Sequence, residues 1–191
     1  AVMLPLVGFT FYNNINAKEV VEQKVSETYS NTLRIFTESV DDTLLQINEY
    51  LYKMETQDAD IGVIQSYPYL SDTYMLTKVR LTQKMTRDVG FYNFITTIFL
   101  YTGEDLIHAS TSDTNEMTML SIIKHHLDWL IGISQDQEKD EWQLIRDERI
   151  EGDYILARIY EINPGLYGGV FVKIVDIAQP LDILWNEGNI G

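Results

Sequence analysis

Residues 17 to 55 form one long stretch that contains neither glycine nor proline. Apolar side chains recur three or four positions apart along it, which is the spacing of one face of an α-helix. At 1.5 Å per residue such a helix would be roughly 55 Å long, longer than most helices of globular proteins. Its apolar face must be covered, either by the core of this chain or by a second copy in a parallel homodimer. That face comprises Val21, Val25, Tyr29, Leu33, Phe36, Val40, Leu44, Ile47, Leu51 and Met54.

Residues 1–12, AVMLPLVGFTFY, precede this helix and are almost entirely apolar. The run is too short to cross a bilayer, which takes about 20 apolar residues, and it lacks the small-residue cleavage pattern of a signal peptide. Pro5 and Gly8 weaken a soluble helix but are tolerated in membrane helices, and aromatic residues close the run as at a membrane interface. We therefore expect the end of a transmembrane helix or the remnant of an apolar anchor. A buried first strand and a cloning remnant are the alternatives.

The composition restricts the partners and the chemistry. Acidic side chains outnumber basic ones 29 to 14, which gives a net charge of −15. This charge repels the phosphates of nucleic acids, so nucleic acid is not an expected partner. The chain has no cysteine, which excludes disulfides, thiolate metal sites and cysteine nucleophiles and suits a bacterial domain outside the cytoplasm. A length of 191 residues indicates one folded domain.

Shorter helices and a hairpin follow the long helix. Residues 94–101 and 105–109 are rich in β-branched and aromatic side chains around Gly103, which predicts a β-hairpin. A helix that ends at Gly90 is predicted before the hairpin. Another, capped by Thr114 or Ser112, is predicted after it. The expected buried positions are Met75, Val79, Leu81 and Met85 in the first of these helices and Met117, Leu120, Ile123, Leu127 and Leu130 in the second.

Three β-rich runs complete the pattern: WQLIRDER, YILARIYEI and LYGGVFVKIVDI. Turn signals at residues 151–153 and 163–165 separate them, and such short connections make neighbouring strands antiparallel. A hairpin, a helical crossover and a three-stranded meander predict a five-stranded antiparallel sheet with helices on one face. The predicted fold class is therefore α+β, with the long N-terminal helix (about residues 17–55) packed on a PAS-like sheet.

These features resemble the Cache family of extracellular sensor domains, the PAS-like modules of bacterial membrane receptors. The resemblance rests on the long helix VVEQKVSETYSNTLRIFTESVDDTLLQINEYLYKM after an apolar run, the hairpin FITTIFLYTGEDLIHAS and the final strand GGVFVKIVDIAQPLDIL. It implies one sensor domain over residues 13–185, with residues 186–191 starting a second module or a return to the membrane. It also implies a cell-membrane protein whose sensor domain is extracellular. A small-molecule pocket would lie between the sheet and the segment that crosses it.

The resemblance is strongest to the sensory regions of two-component sensor histidine kinases. Membrane-anchored AraC-type regulators and chemoreceptors carry similar domains, and a ligand-free interaction or dimerisation module is a further alternative. The family's amino-acid-binding members carry a spaced set of tyrosine, arginine, tryptophan and aspartate that this chain does not match. We expect no enzyme activity in this region, because no catalytic motif is present. We also expect no cofactor and no metal, since the adjacent His125 and His126 point about 100° apart on a helix and cannot chelate one ion together.

The candidate ligand-binding residues are those expected to face the concave surface of the sheet or to lie beside its polar loops. An arginine inside an otherwise aromatic strand needs an anionic partner if it is buried, and a carboxylate at the end of the last strand could hold an amine. The alternative is that the tyrosines only cover sheet edges and that the arginine pairs at the surface with Glu161 or Asp153. The candidates are Tyr101, His108, Trp142, Arg158, Tyr160 and Asp176.

Overall fold

The structure is a computed structural model. It describes residues 3–92, 94–111, 115–135, 142–149 and 154–174, with side chains from residue 18 onward except that of residue 19. The elements, in chain order, are α1 (Met3–Gln57), α2 (Ala59–Ser66), α3 (Asp72–Phe91), β1 (Thr97–Tyr101), β2 (Leu106–Ser110), α4 (Glu116–Ser134), β3 (Gln143–Arg146), β4 (Tyr154–Asn163) and β5 (Leu166–Lys173).

The chain divides into two compact units, and the first contains Ala1–Asp42. Its described residues form the N-terminal part of helix α1, which begins at Met3 and not near residue 17. Residues 3–12 are therefore helical, and the alternative of a buried first strand is wrong. Pro5 lies in the first turn of α1, where a missing backbone N–H costs nothing. No helix within the described residues has an apolar stretch long enough to cross a membrane.

The surface of α1 in this first unit combines ion pairs with exposed apolar side chains. Arg34 Nη1 lies 2.9 Å from Glu38 Oε1, one helical turn away, and such pairs support an exposed helix. The apolar side chains predicted to form a buried stripe are 46–60% exposed at Val21, Val25, Tyr29 and Leu33. Homodimerisation through this face of α1 stays a prediction.

The second unit, Thr43–Gln179, contains the sheet. Its strands lie in the order β2-β1-β5-β4-β3, and every neighbouring pair is antiparallel. The hairpin β1–β2 and the meander β3–β4–β5 are joined by the pairing of β1 with β5. Gly103 and Gly165 adopt positive φ angles of 85° and 81° in the two tight turns. The predicted α+β fold with a five-stranded antiparallel sheet is confirmed.

Helices cover both faces of the sheet, so the expectation of helices on one face is wrong. Helix α4 packs on one face, while α3 and the end of α1 lie on the other, where Tyr160 Oη of β4 donates a hydrogen bond to the backbone O of Leu51. The cause is the central strand β5, which is buried at every position. A strand that is apolar on both faces needs cover on both.

The layer between α4 and the sheet is filled by a tight apolar core. The rings of Phe99 and Phe171 meet edge to face with centroids 5.4 Å apart. Gly169 makes room for the Phe99 ring, because a Cβ added at Gly169 would lie 2.4 Å from Phe99 Cζ. Packed side chains therefore fill the described core between α4 and the sheet, and a small-molecule pocket between the sheet and its crossing segment stays a prediction.

The buried faces of α3 and α4 differ in part from the predicted ones. Met75 and Val79 are 43% and 51% exposed, and Met117 is 72% exposed. The buried face of α3 includes a tyrosine and a threonine, which a purely apolar pattern passes over. The buried positions are Tyr74, Thr77, Leu81, Met85 and Val89 in α3 and Met119, Ile122, Ile123, Leu127 and Leu130 in α4.

Two side-chain caps set helix boundaries that the sequence did not predict. Asn115 caps α4, since its side-chain oxygen accepts hydrogen bonds from the backbone N of Met117 and Thr118 at 3.0 and 3.2 Å. The cap predicted at residue 112 or 114 is therefore wrong. The short helix α2 was not predicted either; Asp58 caps it by accepting from the backbone N of Asp60.

Candidate functional site

The predicted site residues do not share one face of the sheet. Tyr101 and Tyr160 pair with adjacent residues of β5. Successive residues of a strand point to opposite faces, so these two tyrosines lie on opposite sides. Tyr101 and His108 are on the face covered by α4, and Arg158 and Tyr160 are on the face covered by α1 and α3. The expectation that the candidate residues share one concave face of the sheet is therefore wrong. The registers of β1 and β4 against β5 place the side chains of Tyr101 and Tyr160 on opposite faces.

Tyr160 has a structural contact that explains its position. Its Oη donates to the backbone O of Leu51 at 3.1 Å and so ties β4 to α1. Gly168 leaves room for this ring, since a Cβ there would lie 3.0 Å from the hydroxyl oxygen. Burial raises the pKa of Tyr160, so the hydroxyl remains a donor at neutral pH. Arg158 lies two residues earlier on the same face, and ligand binding by either residue stays a prediction.

The other candidates lie apart from one another. Tyr101 Oη donates to the backbone O of Gly103 at 2.9 Å and closes the β1–β2 turn. Trp142 precedes β3 at the opposite edge of the sheet and is half-buried, and its Nε1 has no hydrogen-bond partner among the described residues. Asp176 lies outside the described residues. The sequence-predicted residue that the structure places in a cleft is His108.

A cleft of about 280 Å³ opens along the outer edge of β2, and we call it the β2 cleft. Helix α3 contributes hydroxyl groups to one wall, and the first turn of α4 contributes a carboxylate to the other. Strand β2 is an edge strand of the sheet, so the cleft lies beside backbone that no neighbouring strand covers. The residues that line the β2 cleft are Thr82, Thr86, His108, Ala109, Ser110, Thr111 and Glu116.

The edge of β2 also presents backbone groups to the cleft. Thr111 N donates to Thr96 O, and Thr102 N donates to Asp105 O, which fixes the hydrogen-bonded pairs of the β1–β2 ladder. Hydrogen-bonded and non-hydrogen-bonded pairs alternate along an antiparallel ladder. By this alternation the pair Phe99–His108 is not hydrogen-bonded, so the backbone N–H and C=O of His108 point away from β1. Main-chain donors and acceptors of the edge strand therefore lie beside the side chains that line the cleft.

His108 is the buried ionisable group of the β2 cleft. Its side chain is 13% exposed, and Nε2 lies 3.5 Å from Oε1 of the exposed Glu116. Nε2 is buried without a hydrogen-bond partner in the described part of the chain. Burial lowers the pKa of His108, with Glu116 opposing the shift and two lysines adding to it. The imidazole is therefore neutral at pH 7 and offers one nitrogen as donor and the other as acceptor.

Helix α3 connects the β2 cleft to α1. Thr82 and Thr86 line the cleft, and Asp88 follows on the same helix. Oδ2 of Asp88 accepts a hydrogen bond of 3.0 Å from Tyr50 Oη on α1. The Tyr50 ring also contacts the ring of Tyr92 just after α3, with centroids 5.1 Å apart. A displacement of α3 at the cleft would therefore act directly on the end of α1.

A second cluster of charged groups joins the end of β3 to α4. The nearly buried carboxylate of Asp147 accepts two side-chain hydrogen bonds from Arg149, and Arg149 Nη1 also donates to Ser121 Oγ at 2.8 Å. His126 Nε2 lies 3.4 Å from Asp147 Oδ2. The Arg149 guanidinium holds the pKa of Asp147 well below its usual range. This cluster fastens α4 to the sheet, and the described residues contain no group of three ligands suited to a metal ion.

The sequence identified one residue of the β2 cleft and missed the rest. His108 was recognisable as a titratable side chain in a β-strand. In the sequence, Thr82 and Thr86 look like ordinary polar residues on a helix surface. Glu116 looks like one of the acidic residues that are common in the first turn of a helix. Their common position follows only from the packing of α3 and α4 around β2, which no local sequence signal specifies.

Comparisons with known proteins found similarity in structure only. No protein-family profile and no curated protein sequence matches this chain. Two solved structures of the ligand-binding domain of the Campylobacter jejuni chemoreceptor Tlp3 are similar, one in complex with L-valine and one with L-norvaline. Their identities are 13% and 14%, their TM-scores 0.39 and 0.38, and each match covers 81% of this chain. The chain spans 65% and 63% of the length of those two chains, slightly less than two thirds.

Proposed function

We propose that this chain is the extracellular ligand-sensing domain of a membrane receptor and that its ligand occupies the β2 cleft. The observation that carries the proposal is the buried, unpartnered Nε2 of His108 in a cleft of about 280 Å³. A buried polar group without a partner costs about 1–3 kcal/mol. A ligand that hydrogen-bonds to Nε2 would recover this energy on binding.

The walls of the cleft indicate the chemistry of the ligand. Threonine and serine hydroxyls, a neutral imidazole, one carboxylate and main-chain groups of the edge strand can all form hydrogen bonds with a ligand, and Ala109 is the small apolar contact. The ligand would be a small polar molecule with several donors and acceptors. A carboxylate in the wall favours a neutral or cationic compound over an anion.

The signal would pass from the β2 cleft along α3 to α1. A ligand that contacts Thr82 and Thr86 on one side and His108 on the other favours one spacing of α3 from the sheet. That preference changes the fit of Asp88 against Tyr50, and hence the position of the end of α1. This is a population shift, in which the ligand favours the arrangement that it binds more tightly.

The receptor would contain further parts that determine its output. A two-component sensor histidine kinase is the output that we propose, and a chemoreceptor or a membrane-anchored AraC-type regulator would use the same sensing mechanism. The apolar run at residues 1–12 would be the membrane anchor. The exposed apolar face of α1 would pair with a second copy of the chain.

A ligand screen with two matched histidine variants tests the proposal. The purified chain is mixed with a panel of small sugars, polyols, amines and amino acids, and its melting temperature is measured. A true ligand should raise the melting temperature of the wild type and of His125→Ala, whose side chain is exposed on α4, but not that of His108→Ala. A panel in which every stabilising compound acts equally on His108→Ala would contradict the assignment of the β2 cleft.

A ligand-free dimerisation module is the second candidate function. The observation that favours it is the exposed apolar face of α1, with Val21, Tyr29 and Leu33 each at least half exposed. Analytical ultracentrifugation of the wild type and of Leu33→Glu distinguishes the two. A dimer that the substitution dissociates, in a protein that no compound of the panel stabilises, would favour the dimerisation module.

A further inference from the structure

A second cleft, of about 170 Å³, lies at the end of the sheet where both tight turns meet the loop between α2 and α3. Thr102 and Glu104 of the β1–β2 turn and Pro164 of the β4–β5 turn line it, together with residues of that loop. We call it the tyrosine cleft after its aromatic walls. It shares no lining residue with the β2 cleft.

Three tyrosines form the walls of the tyrosine cleft. Tyr67 and Tyr69 are 47% and 43% exposed, whereas Tyr74 is buried. The rings of Tyr69 and Tyr74 are nearly perpendicular, at 86°, with centroids 5.4 Å apart, so they form a corner. Tyr67 and Tyr69, the partly exposed rings, leave aromatic surface open to a ligand, and the buried Tyr74 backs Tyr69.

The charge of the tyrosine cleft is negative. Among the described residues that line it, Glu104 alone carries a charge. The neighbouring Asp105 is engaged, because its Oδ2 accepts hydrogen bonds from Tyr74 Oη at 3.1 Å and from Lys78 Nζ at 2.6 Å. Lys78 is thereby held against Asp105. Glu104 remains as the charged group of the wall, in a chain of net charge −15.

The loop between α2 and α3, which carries Tyr67 and Tyr69, is held in place. Gln65 Nε2 donates to the backbone O of Pro164 at 3.2 Å, which ties the end of α2 to the β4–β5 turn. Ser71 N donates to Pro68 O at 3.1 Å and closes the loop. Leu70 between them has φ of 65°, a conformation that a leucine rarely adopts and that the surrounding contacts must maintain. The aromatic corner is therefore preformed.

We infer that the tyrosine cleft binds the head of a small organic cation, an alkylammonium group. Cations are attracted to the faces of aromatic rings, and several rings around one cation are the usual site for quaternary ammonium groups. A carboxylate in the same wall adds direct charge attraction, and the acidic chain raises the local concentration of cations. The volume of about 170 Å³ suits a small head group and not a large ligand.

Titration of the chain with tetramethylammonium, followed by the NMR signals of the tyrosine rings, tests this inference. The wild type should bind tetramethylammonium saturably and should not bind tert-butanol, a neutral compound of similar shape, at the same concentration. Tyr69→Leu and Glu104→Gln should each weaken binding about 3- to 30-fold, the range that one cation–π or surface charge contact provides.

Three control variants separate the binding effect from loss of fold and from the β2 cleft. Tyr69→Phe keeps the aromatic face and should bind within about threefold of the wild type. Tyr52→Leu removes an exposed tyrosine of α1 and should leave binding unchanged, as should His108→Ala. Absence of saturable binding to the wild type, equal binding of tert-butanol, or unchanged binding by Tyr69→Leu would each overturn the inference.

Discussion

Replacement of Tyr50 by phenylalanine should weaken the contact between α1 and α3 and leave the packing of the ring intact. Tyr50 is 7% exposed, and its Oη donates to Asp88 Oδ2 at 3.0 Å. The ring lies 5.1 Å from that of Tyr92, at an angle of 60°, and phenylalanine keeps this contact. The substitution therefore removes one hydroxyl group. The Asp88 carboxylate, which is only 18% exposed, loses that hydrogen-bond donor.

The expected loss follows from the charge of the acceptor. A hydrogen bond to a charged group contributes about 1.5–3 kcal/mol to the free energy of unfolding. In a domain of this size, 1 kcal/mol corresponds to about 2–4 °C, so the melting temperature should fall by about 3–12 °C. Burial and the nearby Asp88 raise the pKa of Tyr50, so the hydroxyl is protonated and the contribution is present at neutral pH.

Urea denaturation followed by circular dichroism measures this loss. Tyr52→Phe is the matched control, because Tyr52 is on the same helix but 63% exposed, and it should change stability by no more than about 0.5 kcal/mol. A double-mutant cycle with Asp88→Asn should give a coupling energy of about 1 kcal/mol or more. Equal stabilities of Tyr50→Phe and Tyr52→Phe, or a coupling energy near zero, would refute the reasoning.

Three further predictions concern the core and two ionisable groups. Gly169→Ala should destabilise the protein by about 1–3 kcal/mol in thermal unfolding, since the new Cβ would lie 2.4 Å from Phe99 Cζ. Gly132→Ala, which meets nothing within 4 Å on α4, should instead stabilise it by about 0.4–1 kcal/mol; similar effects of the two would contradict the packing described. Asp147→Asn should reduce the loss of stability in acid, measured by urea denaturation at several pH values. The pKa of Asp147 is lowered below its ordinary 3.8, so its contribution is present above that pH and is lost as the pH falls below it. Tyr74→Phe should reduce the loss of stability in alkali: because burial raises the pKa of Tyr74 from 10.0 to about 12, stability falls as the pH rises through that interval, and an unchanged alkaline profile would contradict this.

The strands and the pairings within the hairpin and the meander could be predicted because their signals are local, whereas the pairing of β1 with β5 that joins them was not predicted. Apolar and β-branched runs are separated by turn residues, and Gly103 and Gly165 do adopt the positive φ angles that such turns require. Connections this short leave antiparallel pairing as the only geometry for the hairpin and the meander. The order of elements then fixed the α+β class.

The buried faces of the helices were harder to predict. Tyr74 and Thr77 of α3 are buried, while the more apolar Met75 and Val79 are exposed. Tyr74 can be buried because its hydroxyl donates to Asp105 in the β1–β2 turn, a partner more than 30 positions away in the sequence. A pattern that counts only apolar residues does not detect a polar side chain whose partner is distant.

The sequence by itself determined the long helix, the five strands, their antiparallel connections, the acidic charge and the absence of thiol chemistry. The tertiary structure decided which residues meet. The faces of Tyr101 and Tyr160 depend on their register against β5, and the surroundings of His108 depend on how α3 and α4 pack around the edge of β2. Helical and strand periods repeat over a few residues and can be read locally. A cleft, in contrast, forms where segments far apart in the chain come together, and only the packed core specifies that position.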